Sequence, residues 1–191
     1  MKIKPLDDYE EYKLLQDPPD RDYNMSWVSY ADIEPYLFPN CSVLDIGCKA
    51  GKLVKELTER EIYSVGIDIG DGCKKMWIDV EKKTLAVRSH FICADFIEYD
   101  FQPLKFDLIV MSHVLEHFYD PVKAMQKVWE LLIPDGIVYC TFPINDGYGA
   151  HYFTFESESE IVPWFSDLGF YVKIENVEKK QYLIYTLLLK K

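Results

Sequence analysis

Glycines and acidic or polar residues stand where four apolar runs of the sequence end. They are Asp45, Gly47 and Gly51 at the first run, Gly66 and Asp68 at the second, Asp95 at the third, and Ser112 and His113 at the fourth. Ligands of open α/β sheets bind at the carboxyl ends of the strands, so this series predicts a binding crevice. The spacing from Gly47 to Asp68 suits a tight turn followed by an acid that accepts from ribose hydroxyls. This pattern predicts that the crevice binds a nucleoside-bearing cofactor, either a dinucleotide or another adenosine compound.

Alternating strands and helices must position these residues. Apolar runs predict strands at 42–46, 62–67, 90–94, 106–111 and 137–142, and the periodicity between them predicts helices at 50–60, 72–82 and 120–132. Such alternation is typical of a parallel sheet covered by helices. A helix at about 157–168 then precedes two strands, "FYVKIENVE" and "QYLIYTLLLKK". Joined by a short turn at Lys179 and Lys180, they predict an antiparallel hairpin at the sheet edge.

Charge and length narrow the class of protein. The 191 residues predict a single globular domain, in which residues 1–41 form a helical leader packed on the core and 42–191 form the main domain. A net charge of -11 repels polyanions, so we expect a small-molecule partner and not a nucleic acid. The chain has no apolar stretch of the ~20 residues that a membrane span needs, and "MKIKPLDDYEEYK" lacks the apolar region of a signal peptide. We therefore expect no membrane partner and a cytoplasmic protein.

An ordered set of motifs resembles the class I S-adenosylmethionine-dependent methyltransferases, of the type 11/23-like group. The set is "VLDIGCKAGKL", "VGIDI", "CADF", "FDLIVMSHVLEHFYDP", "LLIPDGIVYCTFP" and the terminal hairpin, which together cover roughly residues 38–191. Its order carries more weight than a lone glycine motif would. The resemblance implies a Rossmann-like three-layer α/β sandwich, with a seven-stranded, mostly parallel sheet and a C-terminal antiparallel hairpin. It also implies S-adenosyl-L-methionine as the cofactor.

The resemblance implies a role for each matching cofactor residue. The glycine loop, with Gly47, Cys48 and Gly51, would meet the amino-acid part of the cofactor, and Asp45 would help to hold its ammonium. The ribose and adenine would be bound by the residues of the next two motifs: Asp68 on the ribose hydroxyls, Ile69 against the adenine, Asp95 on its exocyclic amine, and Phe96 as a backbone donor or apolar wall. Ser112 would line the methionine side through its backbone.

Lys49 departs from the commonest loop of the family, because it stands where G-x-G-x-G has its middle glycine. Glycine is favoured there if the backbone approaches the ligand or φ is positive, and lysine dislikes positive φ. Either Lys49 keeps an ordinary backbone geometry, at the pocket edge, with its ammonium toward solvent or the cofactor carboxylate, or the loop no longer binds cofactor. Because the other cofactor positions keep suitable residues, we favour the first alternative.

Histidines and one glutamate, His113, Glu116, His117 and His151, are the candidates for catalysis or for the acceptor side. One histidine could act as a general base for a hydroxyl or amine. Packing and helix capping are a structural alternative. As a further alternative, the four residues could bind a divalent metal. The set resembles the Glu-x-x-Glu-His metal-binding pattern of the small-RNA 2'-O-methyltransferases, with His113 in place of the first glutamate. We assign no metal at this point.

Aromatic residues are concentrated in two segments of the sequence. Those of "GYGAHYFTF" and the leader (Tyr148, His151, Tyr152, Phe153 and Phe155; Tyr23, Trp27 and Tyr30) predict either a lid over the crevice or core packing. We expect a methyltransferase that acts on an oxygen or nitrogen of a small molecule, such as a sugar, a glycan precursor or a ring metabolite. The alternatives are a metal-assisted enzyme acting on RNA ribose 2'-hydroxyls and a non-catalytic methyltransferase-like binding subunit, which Lys49 would favour.

Overall fold

The computed structural model describes residues 1–16, 27–70, 89–145, 149–179 and 183–191. The predicted helix at 72–82 lies outside these ranges, as do Tyr23, Tyr148 and Lys180. Among the described helices, none is both long and apolar enough to cross a bilayer.

A seven-stranded sheet forms the centre of the fold. Its strands are β2 (Ser42–Ile46), β3 (Tyr63–Asp68), β4 (Ser89–Cys93), β5 (Phe106–Ser112), β6 (Leu132–Ile144), β8 (Tyr171–Lys179) and β9 (Leu183–Lys190), in the order β4-β3-β2-β5-β6-β9-β8. The strands from β4 to β6 are parallel, whereas β9 is antiparallel to both β6 and β8. The predicted α/β class, the seven strands and the edge hairpin are confirmed.

The strand order reverses between β2 and β5, since β2 leads to β3 on one side and β5 leads to β6 on the other. In doubly wound sheets the crevice at such a point receives the ligand. The carboxyl ends of β2 and β5 carry the glycine loop and His113, respectively. The topology therefore brings together the first and fourth predicted clusters.

The helices of the described chain follow the predicted alternation with shorter bounds. They are α1 (Tyr9–Gln16), α2 (Tyr30–Ile33), α3 (Lys52–Thr58), α4 (Pro121–Leu131) and α5 (Ile161–Asp167), with short 3-10 helices at Glu34–Tyr36, Leu115–His117 and Glu158–Glu160. The start of α4 is encoded locally, because the Asp120 carboxylate accepts from the Lys123 N–H at 2.9 Å and Pro121 occupies the first turn.

The fifth parallel strand begins earlier than the predicted residue 137. Leu132 already pairs with Phe106, and the register shifts before Leu108 meets Ile137. "PDG" after Ile133 looks like a turn in the sequence, which explains the late predicted start. The pairing depends on the neighbouring strand, so local sequence could not reveal it.

The leader makes several contacts with the rest of the chain. A two-residue strand, β1 (Lys2–Ile3), pairs with β7 (Phe153–Thr154). In α1 the ring of Tyr12 is buried and packs edge-on against Tyr119 and Tyr152, with centroids 5.1 and 5.2 Å away. Division of the chain into a leader (1–41) and a main domain (42–191) stays a prediction.

Candidate functional site

The glycine loop after β2 turns back over the end of β3. Gly47 and Gly51 both have φ of 73°, a conformation open to glycine at no steric cost. The backbone N–H groups of Gly47 and Cys48 donate to the Ile67 carbonyl at 2.8 and 3.2 Å. A Cβ on Gly47 would lie 2.8 Å from Val114 Cγ2, so the loop after β5 packs directly on this glycine. Both the turn and the packing require glycine at this position.

Lys49 is part of the same turn and has φ of 49°, in the left-handed region. The expectation of an ordinary backbone geometry for Lys49 is therefore wrong. Its N–H donates to Asp68 Oδ2 at 2.9 Å, and the N–H of Gly51 donates to the Cys48 carbonyl at 2.8 Å. These bonds hold the loop in a conformation that a middle glycine would adopt without strain, and the lysine adopts it too.

Two buried carboxylates lie beneath this loop. The Asp68 side chain is buried at the end of β3, and its Oδ1 accepts from the Gly70 N–H at 2.9 Å. Asp45 is buried in β2, and burial, reinforced by the charge on Asp68, raises its pKa to about 8. A cation placed beside Asp45 would favour the ionised carboxylate, which suits the chemistry of an ammonium-bearing ligand.

An open cleft lies at the carboxyl ends of β2 and β5. Its walls are formed by Trp27, Val28, Asp45, Gly47, Cys48, Lys49 and Ser112. Four of the predicted cofactor residues thus share one cleft, namely Asp45, Gly47, Cys48 and Ser112. Asp68 accepts a hydrogen bond from the N–H of Lys49, which lines that cleft, and the half-buried Ile69 follows Asp68 in the chain. Lys49 is among the residues that line the cleft.

The third predicted acid, Asp95, is buried after β4 and already accepts two hydrogen bonds. Its Oδ1 accepts from the Ile97 N–H at 2.8 Å and its Oδ2 from the Tyr9 hydroxyl at 2.6 Å. Burial and the bond to Asp95 raise the pKa of Tyr9, so the phenol remains a donor. Tyr9 was not predicted as a site residue, because α1 has no cofactor motif; the repeated tyrosines at 9 and 12 were the available signal.

Phe96 lies in the hydrophobic core. Its ring is 4% exposed and packs at 5.8 Å from the rings of both Phe101 and Phe118. The side chain is therefore turned inward, which favours the backbone-donor alternative over the apolar wall.

The end of β5 presents polar groups to the other side of the cleft. Ser112 Oγ lies 3.0 Å from Thr141 Oγ1, and the N–H of His113 donates to the Thr141 carbonyl at 2.8 Å. His113 has φ of 51°, and its ring lies against Trp27 with centroids 4.7 Å apart. This places an imidazole beside an indole at the cleft.

Glu116 is buried behind His113, with its Oε1 3.4 Å from His113 Nδ1. Burial raises the pKa of Glu116, but the His113 contact and the charges on His117 and His113 together outweigh it, so the pKa lies below its usual range. Glu116 is thus a carboxylate, which can orient the imidazole of His113.

His151 joins this group from the segment before β7. Its ring lies 4.8 Å from the ring of His117, edge to face, and the N–H of Tyr152 donates to the Glu116 carbonyl at 2.8 Å. The structure therefore brings all four predicted residues into one contiguous cluster. Of the predicted lid aromatics, Phe153 and Phe155 are core residues, at 2% and 0% exposure.

Residues 44–140, just over half of the chain, match the methyltransferase domain family. The chain belongs to that family. The resemblance to class I S-adenosylmethionine-dependent methyltransferases is thereby confirmed.

Curated relatives of this methyltransferase-family chain include two ubiquinone biosynthesis O-methyltransferases. The protein from Leptothrix cholodnii is 28% identical over 99 residues, which are 51% of this chain and 42% of the relative. The protein from Nitrosospira multiformis is 31% identical over 100 residues, 51% of this chain and 41% of the relative. The chain spans less than half the length of these relatives.

Several solved structures share the fold. The Burkholderia thailandensis 1,6-didemethyltoxoflavin-N1-methyltransferase with bound S-adenosylhomocysteine has a TM-score of 0.68 at 18% identity, covering 84% of this chain and 75% of its own. The cyclase SpnF has a TM-score of 0.74 at 14% identity, covering 100% and 98%. Because a protein named as a cyclase has this fold too, the chemistry must be argued from the site.

Proposed function

We propose that this chain binds S-adenosyl-L-methionine in the cleft at the ends of β2 and β5 and methylates an oxygen of a small ring-containing molecule. The observation that carries the proposal is the glycine loop that joins the buried Asp45 and Asp68 beside one cleft. Family membership and the O-methyltransferase relatives support it.

The residues of the cleft fit the cofactor chemically. The loop at Gly47 excludes a side chain and offers a close backbone approach, since a Cβ there would clash with Val114. Asp45 would accept from the cofactor's ammonium, and Asp68 would accept from the ribose hydroxyls in addition to the N–H groups of Lys49 and Gly70. When bound, the cofactor supplies a methyl group on a positively charged sulfur.

The chain's own contribution to chemistry is alignment and proton removal. A hydroxyl acceptor must lose its proton, and His113 follows the cleft residue Ser112 and packs against the cleft residue Trp27. Its Nδ1 lies 3.4 Å from the buried Glu116 carboxylate. If Nδ1 carries the proton toward Glu116 Oε1, Nε2 is left as the acceptor for the substrate's proton. Glu116 then fixes the tautomer and stabilises the imidazolium, as a carboxylate behind a catalytic histidine does.

A ring-containing acceptor is favoured by what surrounds His113. Trp27 is 43% exposed and lies against the imidazole, so its indole offers an apolar surface on which a planar molecule can stack. The net charge of -11 disfavours RNA and other polyanions as acceptors. Nitrogen acceptors are less favoured, because the named curated relatives are O-methyltransferases.

A radiolabel assay tests the proposal. Purified protein is incubated with methyl-labelled S-adenosylmethionine and 3,4-dihydroxybenzoate as a probe acceptor. The labelled methyl ether, which forms by transfer to a hydroxyl, is separated by chromatography from any methyl ester. We expect transfer by the wild type, a loss of about a hundredfold or more for His113→Gln with cofactor affinity unchanged, and no loss for His90→Gln, an exposed histidine on β4.

Two results would contradict this assignment. Absence of cofactor binding would remove the enzyme interpretation and leave the non-catalytic one. Equal transfer by His113→Gln and wild type would remove His113 as the base.

A further inference from the structure

Glu116, His117 and His151 form a compact group of potential metal ligands. One side-chain atom from each lies within 4.8 Å of the others in the described part of the chain. Glu116 is 2% exposed and His151 is 9% exposed, so two of the three are more than nine-tenths buried. Their side chains come from the 3-10 helix after β5 and from the segment before β7.

The carboxylate of Glu116 is the unusual member of this group. Within the described ranges, neither of its oxygens makes a hydrogen bond, although Oε1 lies 3.4 Å from His113 Nδ1. A buried carboxylate is costly unless a cation or several donors compensate it. His113 lies near only one of the two oxygens. The arrangement therefore invites a second positive charge beside the other oxygen.

We propose that Glu116, His117 and His151 bind one divalent metal ion, and that zinc fits this donor set best. Two imidazole nitrogens and one carboxylate oxygen form one of the ligand sets that zinc takes in catalytic sites. Ligand atoms bonded at about 2.0–2.2 Å lie about 3–4 Å apart, so the longest separation here must shorten by roughly 1 Å. Small rotations of the two imidazoles supply that movement.

The surroundings of the three ligands support a fixed site. The Tyr152 N–H donates to the Glu116 carbonyl at 2.8 Å, which joins the two ligand-bearing segments next to the site. His113 contacts Glu116 from outside the group of three, in the position of a supporting partner that orients a ligating carboxylate. Three protein ligands leave one position of a tetrahedral zinc open.

Such a site would extend the proposed function without resting on it. The open position would bind an oxygen of the acceptor, and a metal-bound hydroxyl loses its proton more readily than a free one. Ring molecules that carry a hydroxyl are the class of acceptor that this arrangement favours. Metal binding itself requires only the three side chains, so it can be measured in the absence of cofactor and acceptor.

Equilibrium dialysis of chelator-treated, full-length protein against Zn²⁺, with elemental analysis of the protein, tests the proposal. We expect one zinc per chain for the wild type and for His90→Gln. His90 is exposed and lies on the edge strand β4, so it serves as the control. For Glu116→Gln and His151→Gln we expect at least a hundredfold weaker binding. For His113→Gln we expect a loss of about tenfold, the size of effect of a supporting partner.

Circular dichroism and cofactor calorimetry on the same samples establish that each variant is folded. Equal zinc affinity in wild type and His151→Gln would overturn the proposal. A loss of zinc affinity in His90→Gln as large as that in His151→Gln would also overturn it. Stoichiometric binding of Mg²⁺ without Zn²⁺ would overturn the choice of ion. The Asp68→Asn variant should keep its zinc while it loses cofactor, so failure of the metal site and failure of the cofactor site are distinguishable.

Discussion

Replacement of Lys49 by glycine should stabilise the protein. Lys49 has φ of 49°, and a residue with a Cβ costs about 1–2 kcal/mol in this left-handed conformation. Glycine removes that strain but loses about 0.5–1 kcal/mol in extra backbone entropy on folding. The difference leaves a gain centred on about 0.75 kcal/mol in the free energy of unfolding. The bond from the residue-49 N–H to Asp68 is a backbone bond and survives the substitution.

Lys49→Ala is the matched control, because alanine removes the ammonium and keeps the Cβ. We expect alanine to remain less stable than glycine, because it keeps the left-handed strain that glycine removes. The assay is denaturation in urea with a parallel thermal melt, in which 1 kcal/mol corresponds to about 2–4 °C for a chain of this size. A Lys49→Gly protein no more stable than Lys49→Ala would refute the idea that the loop holds a strained lysine.

Two further predictions concern neighbouring residues. Gly47→Ala should lower the free energy of unfolding by about 2–4 kcal/mol, because it combines left-handed strain with a 2.8 Å approach to Val114. The control is Gly149→Ala, which has open space around the new Cβ and should change the free energy of unfolding by under about 0.5 kcal/mol. Similar urea midpoints for the two variants would contradict this prediction. Asp45, whose pKa is raised to about 8 by burial and by Asp68, keeps a proton in the folded chain that the unfolded chain releases above about pH 4. Stability should therefore fall as pH rises from about 4 to about 8, and Asp45→Asn should flatten that fall in urea titrations, whereas identical slopes for the two proteins would count against it.

The sheet was predictable because its strands are apolar runs with glycine or acid at their ends. The bounds of β2, for example, match the predicted 42–46. Where prediction failed, the cause was non-local. The early start of β6 depends on pairing between Leu132 and Phe106, and the inward turn of Phe96 depends on packing against Phe101 and Phe118. Neither partner is visible in the local pattern.

The site shows the same division. Motif spacing indicated Asp45, Gly47 and Ser112 at one cleft, because strand ends of a parallel sheet meet at one edge. The conformation of Lys49 could not be inferred, since propensity disfavours it and the hydrogen bonds around the loop override propensity. Tyr9 was also hidden, because its bond to Asp95 joins residues 86 positions apart.

Calorimetric titration with S-adenosylmethionine tests the central claim most directly. Wild type and Asp100→Asn, which alters an exposed acid whose Oδ1 accepts from the Gln102 N–H, should bind one cofactor per chain with equal affinity. Asp68→Asn should bind at least tenfold more weakly, a loss of about 1.4 kcal/mol, because it removes the ribose carboxylate. Absence of binding heat for wild type at millimolar cofactor, or equal affinity for folded Asp68→Asn and wild type, would contradict the account.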